Sequence, residues 1–368
     1  MRVRVPKILE DVVRQNPDYS PSIRAAVLAL GDAIRDNAPM PPLAFPSPDE
    51  EEWTGAIEAR TWLATEWFFA ECYAYRCLVS ATRFWETGRD PFAPAKRSEL
   101  ASHGLWERLA VALDLERLEV RERVGALLGL ALWGNRVDLS YAVGSVFGAG
   151  GTTEDLLVDD RDWAARELLT PRGDVHLVAD NAGSELSMDL VLADTLMRAA
   201  GARVSLHVKM HPMFVSDATA RDVWDLVGAM REKGGAAGDL ASRLGRSFDE
   251  GALRVLPDFF WTGPRFLWDR PARVAREIDH ATMLVLKGDA NYRRAVGDAI
   301  WPAESTFADA TSYFPAPVLC LRTMKSDPLA GLAPARMSEL DLADAEWRIN
   351  GRRGLIQGSE GSRQLPKS

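Results

Sequence analysis

Five short runs rich in Val and Leu, each separated from the next by enough chain for a helix, occupy the second half of the sequence. They are VHLVA (Val175 to Ala179), RVSLHV (Arg203 to Val208), LRVL (Leu253 to Leu256), TMLVL (Thr282 to Leu286) and PVLCL (Pro317 to Leu321). Runs so short and so uniformly apolar are expected of parallel strands covered on both faces. Between the first two lies ELSMDLVLADTLMRAAG, a helical pattern ending at Gly201 and long enough for a crossover connection. The alternation predicts an α/β fold, a doubly wound, mostly parallel, Rossmann-like sheet with helices on both faces.

The first half has a different period. From Ser22 to about Val143, apolar residues recur three and four apart in SIRAAVLALGDAIRDN, EARTWLATEWFFAECYAYRCLVSATRFWE and WERLAVALDLERLEVRERVGALLGLALWGNRVDLS. PMPPLAFPSP, from Pro39, breaks the first helix from the second. The expected organisation is a helical N-terminal region over 1–150, an α/β domain over 151–358 beginning at the GAGG of Gly148 to Gly151, and a disordered tail over 359–368. Glu71, Tyr73, Arg76, Asn135, Arg136 and Asp138 place polar groups within apolar helices. They are expected to form a buried network joining the two parts, or else to line the back of a pocket.

The net charge of −9 argues against nucleic acid as the partner, because neutralising a phosphate backbone needs a basic surface. It leaves room for a small phosphorylated metabolite, for which a few cations in one pocket suffice. Cys72, Cys77 and Cys320 show neither a CxxC pair nor zinc-ligand spacing. No apolar run approaches the roughly 18 residues of a membrane span, and no signal-peptide pattern opens the chain. The expectation is a cytoplasmic enzyme without a membrane partner.

Ligands of open parallel sheets bind beyond the carboxyl ends of the strands, so the residues following each predicted strand are the candidates. These are DNAGSE (Asp180 to Glu185), KMHPMFVSD (Lys209 to Asp217), DFFWTGP (Asp258 to Pro264), KGDANYR (Lys287 to Arg293) and RTMK (Arg322 to Lys325). Asp180 and Asn181 offer adjacent oxygens and Asp217 a second carboxylate, a donor set suited to Mg²⁺ or Mn²⁺. Taken singly, each also reads as a turn or helix cap. Lys287, Arg293, Arg322 and Lys325 are four cations with the charge to neutralise a phosphoryl group, although any one alone reads as solvated loop charge. Gly288 lets backbone approach an anion, and Asn291 can bond a hydroxyl or phosphate oxygen. His207 and His211 have a His-x3-His spacing, but the strand running through His207 turns it toward the core or the opposite face. A Ser-His-acid arrangement and GxGxxG are both absent.

FFAECYAYR, FWETGRDPF, LWGNRVDLS, DNAGSE, FVSD, KGDANYR, RTMK and WRINGRRGLIQ occur in that order between about residues 50 and 358. With these motifs the chain resembles the damage-control phosphatases, also catalogued as domain of unknown function 89, in the subfamily marked by RTxK. The resemblance implies a helical region packed on an α/β/α domain, and a divalent ion (manganese, cobalt, nickel or magnesium) held by Asp180, Asn181 and Asp217. It implies substrate contacts from Asp289, Ala290, Asn291, Tyr292, Arg293 and Lys325. It also implies hydrolysis of sugar phosphates, with fructose 1-phosphate and fructose 6-phosphate as typical substrates. Ala290 departs from the larger apolar residue that relatives often carry, which bears on pocket volume. Asp217 or Glu185 is expected to assist proton transfer, with Asp180 a possible nucleophile. Three other readings stand beside this one: an S-adenosylmethionine-dependent protein carboxyl methyltransferase, an activity also attached to the subfamily; a phosphatase dedicated to one biosynthetic sugar or nucleoside phosphate; and a sensor that binds without turnover. Metal dependence of catalysis separates the phosphatase from the methyltransferase.

Overall fold

The computed structural model describes residues 1–43, 48–53, 57, 59–134 and 155–362. Strands Leu156–Asp159 (β1), Asp174–Val178 (β2), Arg203–Lys209 (β3), Leu253–Asp258 (β4), Met283–Lys287 (β5), Val318–Thr323 (β6) and Gly354–Ser359 (β7) form one sheet in the order β1-β7-β6-β5-β2-β3-β4. The five strands expected from the sequence are β2 to β6, and they pair in parallel throughout. Side chains alternate between the faces as the pleat requires. Val175, Leu177, Val285 and Leu319 enter one core, while Val178, Leu284, Leu286 and Val318 enter the other.

Strands β1 and β7 were not expected. β7 runs antiparallel to β6 and carries β1 parallel on its outer side. Its glycines are packing positions. A Cβ at Gly358 would lie 2.0 Å from the Trp163 ring, and one at Gly354 would lie 2.5 Å from Trp133. Beyond the strand, Ser362 N–H donates to Phe314 O at 2.9 Å, so the chain is held through 362. Residues 363–368, the rest of the expected tail, lie outside the described residues, as do Asn135, Arg136, Asp138 and the GAGG segment.

Helices His103–Asp114, Val120–Trp133, Arg161–Leu168, Ser184–Ala200, Ala220–Lys233 and Gly235–Asp249 share the first core; Ala272–Ile278, Asp289–Val296, Phe307–Thr311 and Pro334–Ala343 share the second. The sequence's helical half is therefore divided. Two of its helices cover a face of the sheet, and the earlier ones build a separate lobe.

In that lobe, Arg4–Gln15, Pro21–Arg35 and Trp67–Ala81 share a third core with Met213, against which Phe214, Phe266 and Ala290 also pack. The lobe thus sits over the chain that follows β3, β4 and β5. Pro21–Arg35 starts where Ser20 Oγ accepts from Ile23 N–H at 3.3 Å and Pro21 fills the first turn. Trp67–Ala81 is buried along most of its length, which is why its sequence is apolar on nearly every side. Within it, Tyr73 donates to Pro41 O at 2.6 Å and packs against Trp53 and Trp62. Arg76 grips Asp49 through Nε–Oδ2 at 2.6 Å and Nη2–Oδ1 at 2.9 Å, and Trp53 Nε1 donates to the same carboxylate at 3.0 Å. Both charges are buried. Removing one partner strands the other, so Arg76→Ala should cost about 3–5 kcal/mol, read as a lowered urea midpoint. A loss no larger than that of a surface Arg→Ala control would show that the pair does not hold this lobe together.

Candidate functional site

β2 lies between β3 and β5, so the sheet reverses its direction of growth between β2 and β5. Open sheets bind ligands at such a switch point. The loops leaving β2 and β3 are stitched together there by backbone bonds. Ala218 N–H donates to Asp180 O at 2.8 Å and Ala182 N–H donates to Ser216 O at 2.7 Å, with an isolated antiparallel bridge joining Asn181 and Asp217. Asp180, Asn181 and Asp217 are thereby brought together. Phe214 and Val215 turn the chain into position with φ of 46° and 75°. A β-branched residue there is strained, and such strain gathers at functional sites.

The carboxylates sit in a costly environment. Asp217 is buried; its Oδ2 has no hydrogen-bond partner, and Lys209 Nζ stands 3.3 Å away. Burial pushes its pKa up to about 7, with the charge of Asp180 adding to the shift and Lys209 opposing it. Glu185 is pushed up to about 8, first by burial and then by Asp180, against the pull of Lys287. Asp180 keeps part of its surface accessible, yet desolvation holds its pKa above the usual range. Asn181 ties them together, its Nδ2 donating to Asp180 Oδ2 at 3.0 Å and to Glu185 Oε1 at 2.8 Å.

These residues fit a hard divalent cation. Asp217 Oδ2 pairs with the Lys209 ammonium at 3.3 Å without a hydrogen bond and keeps lone pairs a cation would take, and positive charge here would relieve the mutual repulsion of the carboxylates. Asn181 Oδ1 accepts from the Ser216 hydroxyl and keeps a second lone pair. Among the described residues no three His, Cys, Asp or Glu side chains make a metal cluster by themselves, so the amide completes a set of two carboxylates and one neutral oxygen.

The four cations have separate placements. Lys287 is buried and donates to Asp189 Oδ1 at 2.6 Å, 3.9 Å from Glu185 Oε2. Arg293 bonds Asp298 at 2.7 Å and lies over Phe68 and Trp67. Arg322 donates to Asp289 at 2.8 Å and to Ser326 O at 2.7 Å, and stacks on Tyr292. Lys325 is exposed, and its charge is the strongest one favouring ionised Asp180. Lys287, Arg293 and Arg322 are thus already ion-paired, and Lys325 is the cation placed to meet an incoming anion. Asp289 is a brace, accepting from Arg322, Ser326 and Lys325 N–H. Asn291 donates to Lys287 O at 2.8 Å while its Oδ1 stays unpartnered. Tyr292 is turned away, its hydroxyl 3.2 Å from Gln357, and Ala290 faces the lobe.

His207 is buried against His176 at 2.9 Å and Trp261 at 3.2 Å, and His211 is buried beside Trp85. Lys209, not singled out from the sequence, donates to Trp261 O at 2.7 Å beside Asp217. Its signal was available: it ends β3 just as Lys287 ends β5.

The helix Ala93–Leu100 braces the loops after β2 and β3 from behind. Lys96 Nζ donates to Asp217 O at 3.0 Å and to Asp222 at 2.8 Å, and Glu99 accepts from Ser184 N–H at 2.8 Å. Such outer partners typically hold ligand geometry, so Lys96→Met should weaken metal affinity by about 10- to 100-fold, read by titration calorimetry. An unchanged affinity would show that the brace is dispensable.

The damage-control phosphatase ARMT1-like domain family matches the chain over residues 1–340. The mouse (Mus musculus) damage-control phosphatase ARMT1 is 30% identical over 376 residues, covering 89% of this chain and 84% of that protein. Its Danio rerio counterpart is 27% identical over 380 residues, covering 91% and 85%. Among solved structures, a DUF89 family protein from Pyrococcus horikoshii shares the fold, with a TM-score of 0.51 and 14% identity over 96% of this chain and 95% of that one. With a match that spans nearly the whole chain, the protein belongs to the damage-control phosphatase ARMT1-like family.

Proposed function

We propose that the protein is a metal-dependent phosphatase hydrolysing phosphate monoesters of small sugars, of the fructose 1-phosphate or fructose 6-phosphate type. The observation that carries this reading is the two-carboxylate, one-amide donor set at the switch point, with Asp217 Oδ2 left without a hydrogen bond and Lys325 acting on Asp180. Asp180, Asn181 and Asp217 would hold the ion. When bound, a divalent ion draws charge from the phosphoryl oxygens and makes water a better nucleophile. Lys325 offsets negative charge on those oxygens, a term that grows as the ester bond breaks. Asp289 fixes the backbone that carries Lys325. Glu185, bonded to Asn181, is the carboxyl placed to give or take a proton beside the reacting group.

The test is phosphate release from a panel of sugar phosphates by protein stripped of metal and then supplied with Mn²⁺, Co²⁺, Ni²⁺ or Mg²⁺ in turn. Metal-restored release is the expected result. No release with any metal across the panel would overturn the reading. No described helix is long and apolar enough to cross a membrane.

A further inference from the structure

The seam between the lobe and the sheet holds polar atoms that the fold leaves unsatisfied. On the lobe side, Glu71 and Tyr75 lie four residues apart on the helix Trp67–Ala81 and so share one of its faces. Both are buried, at 3% and 2% exposure. Glu71 Oε1 and the Tyr75 hydroxyl make no hydrogen bond; Arg4, itself well exposed, approaches Glu71 Oε1 to 3.3 Å without bonding geometry. On the sheet side, Asn291 Oδ1 and Arg293 Nη2 are unsatisfied as well.

Contacts show that these two sides face one another. The Tyr75 ring meets Phe214 edge-on at 5.1 Å, three residues before Asp217, and Arg293 lies 4.7 Å over Phe68, one turn before Glu71. Glu71 feels the charges of Arg293 and Asp289, and Tyr75 feels that of Asp217. A buried polar atom without a partner is costly, and a cluster of them calls for an explanation. The chemistry of this cluster is mixed. Glu71 and Asn291 accept, Arg293 donates, and Tyr75 does both. An ammonium group only donates and would leave Arg293 unmatched. A hydroxyl both donates and accepts, and several hydroxyls would satisfy both kinds.

We propose that Glu71 and Tyr75 read hydroxyl groups on the non-phosphorylated part of the substrate, which makes them specificity-determining residues for polyhydroxylated phosphate esters. This rests on the phosphatase reading above. A site built to bond a hydroxyl discriminates strongly against a compound that lacks it.

The readout is a ratio, kcat/KM for fructose 6-phosphate over kcat/KM for 4-nitrophenyl phosphate, measured on the full chain with the metal that supports release. Glu71→Gln should lower that ratio by about 10- to 100-fold, and Tyr75→Phe by about 3- to 10-fold. A ratio that stays at the wild-type value in both variants overturns the proposal, even if both rates fall, since a merely structural role lowers the two substrates together. Should the wild type release phosphate from neither compound, binding takes over as the readout. In calorimetry, fructose 6-phosphate should then bind more tightly than inorganic phosphate, and Glu71→Gln should narrow that gap by the same factor. An unchanged gap overturns the inference independently of turnover.

Discussion

Asp217→Asn is expected to abolish metal binding and phosphate release together, lowering turnover by about 1000-fold or more, while the apo fold persists. The amide keeps the shape of the carboxylate and removes its charge. Lys209 loses an anionic neighbour at 3.3 Å but keeps its bond to Trp261 O at 2.7 Å. Lys96 grips the main-chain carbonyl of residue 217, which the substitution leaves in place. Burial has pushed the Asp217 carboxyl from 3.8 to about 7. Its ionised form is therefore disfavoured in the apo fold, and apo stability falls as pH rises from about 4 toward 7. A neutral amide removes that liability but leaves the buried Lys209 without its counter-charge, so the apo variant should melt close to the wild type near neutral pH. A ligand that binds only the native state raises the melting temperature by mass action, so wild type with Mn²⁺ should show a rise that the variant lacks. A variant that still gains melting temperature from metal, or still releases phosphate, would remove Asp217 from the donor set.

Which parts of this arrangement could be read in the sequence depends on how local their causes are. Strands β2 to β6 are covered on both faces, so each writes a run of Val and Leu that needs no knowledge of its neighbours. β7 does not, because its Gly354 and Gly358 are set by tryptophans far upstream: Trp163 lies 195 positions before Gly358, and Trp133 lies 221 before Gly354. The position of Asp180, Asn181 and Asp217 after strand ends was legible for the same local reason as the strands. The pairing of the cations was not. Lys287 finds Asp189 across 98 residues and Arg322 finds Asp289 across 33, and nothing near either cation announces its partner. Charges that look alike in sequence thus divide into internal ties and, at Lys325, an exposed group facing the carboxylates. Glu71, Tyr73 and Arg76 divide in the same way. Two of them close bonds inside the lobe, while Glu71 keeps an unsatisfied oxygen at the seam.

Gly288→Ala should lower turnover by about 100-fold or more, since a misplacement of about 1 Å at reacting groups can cost that much, without a charge being changed. Gly288 links β5 to the helix Asp289–Val296 with φ of 87°, a conformation that residues with a Cβ rarely adopt. A Cβ there would lie 2.1 Å from Cγ and Oδ2 of Asp180, far inside contact distance. Relief must come from one of two sides. Gly288 N–H donates to Leu321 O at 2.8 Å and Gly288 O accepts from Tyr292 N–H at 3.1 Å, so the glycine backbone is tied between β6 and the helix. Asp180 has a main chain equally tied through its carbonyl, but its side chain can rotate. The added methyl should therefore turn the Asp180 carboxylate out of the donor set, weakening metal affinity and turnover in step. The strained φ adds a stability loss of about 1 kcal/mol or more, small enough for the variant to fold. Gly288→Ala combined with Asp180→Gly, which reopens the space but leaves the strained φ, should recover only the stability lost to the clash and none of the activity. That pattern separates a lost ligand from a damaged fold, and full activity in Gly288→Ala alone would show that Asp180 does not need the place it occupies.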